Sequence, residues 1–367
     1  MLRHPRLKGH VTLFPLSPAR WRVSGGIDEL SRIELRNEQA ISAFTRLLPL
    51  LDGRHESASL ISRLVEEGAS RGAVEALLRH LEQAGLLEEA DDHGLAPEEV
   101  RKYEQQIRYF ARFTWEGGAK FQAILRGRRA TVIDGFSGRL AGELAQALLA
   151  AGIGQVEVLP AGEAAADGSG EPGGEMVAFA TVAGQPADRA HPWLETLESR
   201  GSELPDLVVV AQLAHDPVLL EAMDDFAKRT RVPWLLVRCL SAEEGWIGPL
   251  FVPFDTASYV SLEARLQANL PQVEDYRSLG DFVRERGRPA AAGGGLEPYF
   301  LVLAGIAAAE AVKFLSGFAT PQIAGRFLTI HFGTWTTEIH DVLRVPHLER
   351  AAGAEPLTFP WEEGGPV

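Results

Sequence analysis

The run Asp134-Gly135-Phe136-Ser137-Gly138-Arg139-Leu140-Ala141-Gly142 follows a β-branched apolar stretch and opens into helix-forming sequence. A glycine turn at the start of a helix lets phosphate groups approach backbone N–H groups at the positive end of the helix dipole. The fingerprint is imperfect, because Ser137 stands where the middle glycine belongs. A ribose-binding acid is expected about 20 residues further on, where the chain reads Val158-Leu159-Pro160 and the proline ring offers no acceptor. Gly135, Ser137 and Gly138 therefore read as a degenerate loop, a tight strand-to-helix turn that holds no nucleotide.

Two other groupings of reactive side chains are weaker. Trp335-Thr336-Thr337-Glu338-Ile339-His340-Asp341 contains acid and base groups, but it alternates like a strand and includes no obvious nucleophile. Cys239 is the single cysteine, which excludes an intramolecular disulfide and a multi-cysteine zinc site. With no sequence sign of an activating base beside it, it reads as a structural thiol.

The elements that position these residues fall into two blocks. His10–Phe14, Arg20–Val23 and Ser31–Arg36 alternate as half-buried strands. Three helices follow: Asn37 to Leu51, with Pro49 bending its last turn, then Ser57 to Gly68 and Ser70 to Ala84. The order gives a winged-helix-like β3α3 module over residues 1–92, and Glu98 to Phe113 reads as a helix within a connector at 93–120. From Ala130–Ile133 onward, strands at Gln155–Leu159, Leu207–Ala211 and Trp234–Val237 alternate with helices, starting with Arg139–Ala151. That alternation specifies a doubly wound parallel sheet, an α/β domain over 121–350 with a tail at 351–367. Ala161–Gly174 and Pro289–Gly295 hold too few large apolar residues to pack and read as flexible loops.

The 367 residues are 46% hydrophobic and 23% charged, the composition of a globular chain. A net charge of −14 argues against a field that attracts nucleic acid or anionic membrane. The third helix carries only Arg71, Arg79 and His80 among acids, too little for phosphate contacts by a winged-helix DNA reader. Met1 to Leu16 lacks a signal-peptide core, and the apolar stretch Pro298 to Leu315 is broken by Glu310 and Lys313, so a cytoplasmic location is expected.

Tyr103-Glu104-Gln105-Gln106-Ile107-Arg108-Tyr109, the Gly135 loop, Ala151-Gly152-Ile153-Gly154 and Gly248-Pro249-Leu250-Phe251-Val252-Pro253 occur in the order seen in ThiF-type, ubiquitin-activating-like adenylating proteins. Behind a small β3α3 module, they resemble the ThiF-like partner proteins of thiazole/oxazole-modified peptide (bacteriocin) biosynthesis over roughly residues 5–350. The resemblance implies that the N-terminal module binds the leader of a ribosomally made precursor peptide. A YcaO-type partner then uses ATP to cyclise Cys, Ser or Thr into azoline rings. Binding would proceed by strand addition, with Arg32, Ile33, Glu34, Leu35 and Arg36 forming the edge and Leu77, His80 and Leu81 along a groove.

Departures from that group matter as well. Zinc-binding members carry Cys-x-x-Cys pairs where this chain has Ser258-Tyr259-Val260-Ser261 and Pro346-His347-Leu348-Glu349-Arg350. With His331, His340 and His347 scattered and no thiolates at these positions, zinc is not expected. Adenylation needs an acid, an arginine and a magnesium-binding aspartate. Here those positions read Pro160, a featureless Ala164–Gly170 and Val210-Ala211-Gln212-Leu213. The expectation is a non-catalytic scaffold without ATP, the alternative being an ATP-dependent adenylating enzyme acting on a peptide. Gly305–Glu310, in a helix over Leu296 to Phe318, matches a region near the superfamily's homodimer contact, so a homodimer is an expectation. The two units leave no room for a complete YcaO domain, which is expected on another chain.

Overall fold

The computed structural model describes residues 1–17, 20–24, 32–35, 38–135, 138–162, 191–201, 203–286 and 295–349. The expectations for Arg36, Asn37, Ser137 and the tail, and most of both loop segments, lie outside these residues. The chain divides into two compact units, Met1–Ile124 and Leu125–Val367.

In the first unit, β2 (Thr12–Ser17), β3 (Arg20–Ser24) and β4 (Arg32–Leu35) form an antiparallel sheet in that order. A second ribbon pairs β1 (Pro5–Leu7) with β5 (Leu87–Glu89). The sequence reading does not contain it, because two three-residue strands carry no measurable alternation. The ribbon is pinned by Glu88, 4% exposed, whose carboxylate pairs with Arg6 at 2.9 Å.

Helices α1 (Glu38–Leu47), α2 (Ser57–Glu66) and α3 (Arg71–Gln83) follow the small sheet. The chain tightens to a 3₁₀ turn over Leu48–Leu50, where Pro49 removes a helical donor. Val74, Leu78 and Leu81 recur one helical turn apart on α3 and are buried with Val23, Leu35, Phe44, Leu47, Leu60 and Leu64. Each such side chain contributes about 1.5–3 kcal/mol by leaving water. Gly85 takes a φ of 69° just beyond α3, the left-handed step that ends a helix without Cβ strain.

The expected single helix Glu98 to Phe113 is instead two, α4 (Pro97–Lys102) and α5 (Glu104–Phe110), broken at Tyr103, with a 3₁₀ turn at Ala111–Phe113. Pro97 sits in the first turn, and the Glu99 carboxylate takes the Ala96 N–H at 2.8 Å. Helix α6 (Ala119–Arg126) contains the division between the units.

The second unit is built on β6 (Arg129–Gly135), α7 (Arg139–Ala150), β7 (Gln155–Pro160), α8 (Pro192–Glu198), β8 (Leu207–Gln212), α9 (Pro217–Thr230), β9 (Trp234–Ser241) and β10 (Glu244–Phe251). Helices α10 (Tyr259–Asn269), α11 (Val273–Arg286) and α12 (Glu297–Ser316), then β11 (Arg326–His331) and β12 (Thr336–Asp341), complete it. The sheet order is β12-β11-β10-β9-β8-β6-β7. Strands β7, β6, β8 and β9 are parallel, and β10, β11 and β12 extend them as antiparallel neighbours. Every residue of β8 is buried, the pattern of a central parallel strand covered on both faces. The order reverses at β6, with β7 on one side and β8 on the other, the switch point where open α/β sheets hold ligands.

One described helix, α12, is long and apolar enough to cross a membrane by length and composition, and 61% of that window is buried within the fold. It packs on α7 and β10. Its buried Glu310 pairs with Lys313 and accepts the Ile323 N–H at 3.3 Å.

Candidate peptide-binding edge and nucleotide-type crevice

The small sheet has two edges. On β2, Pro15 has no N–H and the register slips between Pro15 and Ser17, two devices that blunt an edge against further pairing. Over its described residues β4 pairs with β3 alone, in a regular register from Trp21↔Leu35 to Ser24↔Arg32. No strand among the described residues pairs with its outer side. An extended peptide can add there with main-chain hydrogen bonds supplying affinity and alternate side chains supplying specificity.

The structure separates the candidate residues. Leu35 is buried against the helices, and Glu34 on the alternate position accepts a hydrogen bond from Arg20 Nε at 2.6 Å. Arg32 and Ile33 occupy register positions opposite Ser24 and Val23. On α3, His80 is exposed and Leu77 is half-buried at the rim of the core. Leu81 is 0% exposed and belongs to that core, so it presents no surface to a ligand.

In the second unit, the crevice at the carboxyl ends of β6 and β8 is furnished unlike a nucleotide site. The Gly138 N–H, at the start of α7, donates to Asp134 Oδ1 at 3.0 Å, so the chain's own carboxylate occupies one of the donors a phosphate would use. A Cβ on Gly135 would sit 2.7 Å from the Ala211 carbonyl oxygen and 2.9 Å from Gln212 Cγ, which shows how closely the chain fills the turn. Pro160 pairs with Asp134 at the end of β7. The nearest acid on that strand, Glu157, is taken by Thr131 at 2.6 Å and by the two terminal guanidinium nitrogens of Arg200, Nη1 and Nη2. Burial alone would raise its pKa, but the Arg200 and Thr131 hydrogen bonds outweigh burial and hold it below the usual carboxylate value. Asp216 caps α9 by accepting the Leu219 N–H at 3.1 Å.

Two features escaped the sequence reading or changed meaning. Gln212, at the magnesium-acid position, is fully buried and lies opposite Arg238, an arginine 2% exposed in an apolar strand. Ser258 and Ser261 converge on Glu349, whose Oε1 accepts from Ser258 N at 2.8 Å, Ser258 Oγ at 3.2 Å and Ser261 Oγ at 2.5 Å. No cluster of three or more metal-ligating side chains occurs among the described residues. Cys239, read as a structural thiol, is buried, and burial pushes its thiol up to about 11. Such a thiol is inert at neutral pH.

No family model matches the chain, and no curated protein matches it by sequence. Solved structures do match in fold. The heterocyclase TruD superposes with a TM-score of 0.63 at 20% identity, over 94% of this chain and 42% of that chain. A heterocyclase in complex with substrate and cofactor gives 0.61 at 19% identity, over 93% and 38%. MccB of E. coli with AMPCPP and selenomethionine MccA gives 0.59 at 13% identity, over 93% and 97%. The chain thus spans about two fifths of the heterocyclase chains and nearly all of MccB. At these identities the likeness is one of fold: a mixed α/β chain with a Rossmann-like, ThiF-type sheet domain preceded by a small β module.

Proposed function

We propose that this chain recognises the leader of a ribosomally made precursor peptide and presents the peptide to a YcaO-type, ATP-dependent cyclodehydratase that forms azoline rings. The observation that carries the reading is the contrast between the two edges of the small sheet: β2 is blunted at Pro15, whereas β4, the edge strand on the other side among the described residues, is regular in register. The leader adds as a strand beside Arg32, Ile33, Glu34 and Leu35, and His80 and Leu77 on α3 take its side chains. Residues 1–92 act as a winged-helix-like recognition module and 93–120 as its connector. Tethering raises the effective concentration of the core peptide at a weakly binding catalyst.

The ThiF-like unit serves as a docking scaffold, not as an adenylating enzyme. The Asp134 carboxylate at the start of α7, Pro160 in place of an acid and the neutral Gln212 support this. Fold neighbours described as heterocyclases, one of them in complex with substrate, and MccB in complex with MccA support peptide modification as the setting. A cytoplasmic location fits a peptide modified before export.

Hydrogen exchange with the precursor peptide encoded nearest to the gene tests the edge. The account expects new protection at the amides of Arg32–Leu35. Protection at Thr12–Ser17 instead, or none in the small sheet, would remove the proposed groove.

A further inference from the structure

One row of paired residues crosses the second unit's sheet through Gly135, Gln212, Arg238 and Trp246. Residues paired in register share a face of the sheet, and Gly135 adds no side chain. Gln212 and Arg238 are therefore neighbours toward the carboxyl ends of β8 and β9, and the Arg238 guanidinium carbon lies 3.9 Å from the centre of the Trp246 ring.

Arg238 is buried; its guanidinium hydrogen-bonds the Tyr276 hydroxyl, but its Nε–H has no hydrogen-bond partner. The carboxylates that act on it, Glu263 and Glu244, do so through space. Glu263 is taken up by the hydroxyls of Tyr259 at 3.2 Å and Tyr276 at 2.9 Å and by Gln267, and Glu244 by the Trp246 indole N–H and His331. Gln212 donates through Nε2 to the Asp216 carbonyl at 3.4 Å, which leaves its buried Oε1 without a donor. Exchanging the two amide atoms would set two oxygens against each other. His215 Nδ1 is likewise buried and unpartnered, and its ring lies 4.7 Å from that of Tyr276.

Buried polar atoms are almost always satisfied, and a buried guanidinium without an ion-pair partner is costly. Three such groups on adjacent strand ends and the loop after β8 require a common reason. We propose that Arg238, Gln212 and His215 form a buried oxyanion site, for a carboxylate or phosphate group that also carries one hydrogen-bond donor. The anionic oxygens accept from Arg238 Nε–H and from a His215 Nδ1–H, and the ligand's donor goes to Gln212 Oε1. Burial, then Arg238, hold His215 down at about 4, so at neutral pH it is uncharged and carries one N–H. Tyr276 brings α11 against His215, and α11 is tied to its neighbours by the exposed pairs Arg284–Glu221 and Arg277–Gln267. Exposed pairs of this kind are weak; the Tyr276 hydroxyl, which donates to Glu263 at 2.9 Å, and the buried Val283 also hold α11 in place.

The site is independent of the peptide-edge reading, and small probes test it on the full chain. Tryptophan fluorescence and thermal shift are followed with inorganic phosphate, with N-acetylglycine, and with N-acetylglycinamide as the uncharged control. Saturable binding of phosphate alone points to a phosphate ligand, and of N-acetylglycine alone to a peptide carboxylate; either supports the site. Arg238→Met should weaken that binding by about thirtyfold or more. If Arg238→Met fails to fold, Gln212→Leu replaces it, with weakened binding expected. No saturable response to either anion in the unmodified protein, equal binding by the amide control, or unchanged binding in the folded variant would overturn the proposal.

Discussion

The Ser261 hydroxyl donates to Glu349 Oε1 at 2.5 Å across 88 residues of chain, and its own oxygen accepts the Val345 N–H at 2.9 Å. With Ser258, it makes a clasp that fastens the segment after β12 to the start of α10 by hydrogen bonds to one carboxylate. Thiol pairs at these positions could share a zinc ion; two serines and a glutamate reach a comparable tie without one.

Glu349→Ala should therefore cost about 1–3 kcal/mol, the penalty for leaving buried hydrogen-bonding groups unmet. Limited proteolysis should cut near Val345 earlier than in the unmodified protein. A chelator should leave the melting temperature unchanged, and a fall on chelation would contradict the clasp.

Leu81 and Leu77 lie on one helix but should respond differently. Leu81→Ala should destabilise the first unit by about 2–5 kcal/mol, as core truncations do, with little direct effect on peptide affinity once the protein is folded. Leu77→Ala should cost less stability and weaken peptide binding. Denaturant titration beside peptide titration separates the two.

Arg32→Glu on β4 should weaken leader binding by about tenfold or more, the worth of one hydrogen bond to a charged group. Arg126→Glu should leave it near the unmodified value. Equal losses would show that net charge, not the β4 edge, governs binding.

His215 titrates near 4 in the fold against 6.5 for the free side chain, because of burial first and Arg238 second, with Arg284 acting the same way and Glu263 and Asp216 opposing. Between those values the unfolded chain binds more protons, so acid favours unfolding. The contribution is fully present above pH 6.5 and falls as the pH drops toward 4, by up to about 3 kcal/mol. His215→Asn should flatten that part of the stability profile. His10, also held near 4, keeps its own share in the variant.

The β-branched strand at Ala130, the helix after Gly138 and the Val-rich β8 were legible because periodicity and composition are local signals. The β1–β5 ribbon was not, since its pairing of Pro5 with Glu89 depends on tertiary proximity. The break at Tyr103 was hidden inside good helix-forming sequence. At the candidate sites, Leu77 and Leu81 share an apolar face in sequence, and only packing distinguishes the rim from the core. The partners of Glu349 lie too far along the chain for spacing to reveal them. Arg238 did leave a signal, a lone charge between Trp234-Leu235-Leu236-Val237 and Cys239-Leu240, which a search for buried polar residues would have found.

The most direct test of the central claim is calorimetric titration of the full chain with the precursor peptide encoded nearest to its gene and, separately, with ATP and magnesium. Saturable heat with the peptide and none with ATP is the predicted result. ATP binding accompanied by pyrophosphate release on adding peptide would contradict it, and would make the crevice at Gly135 and Gly138 a working adenylation site.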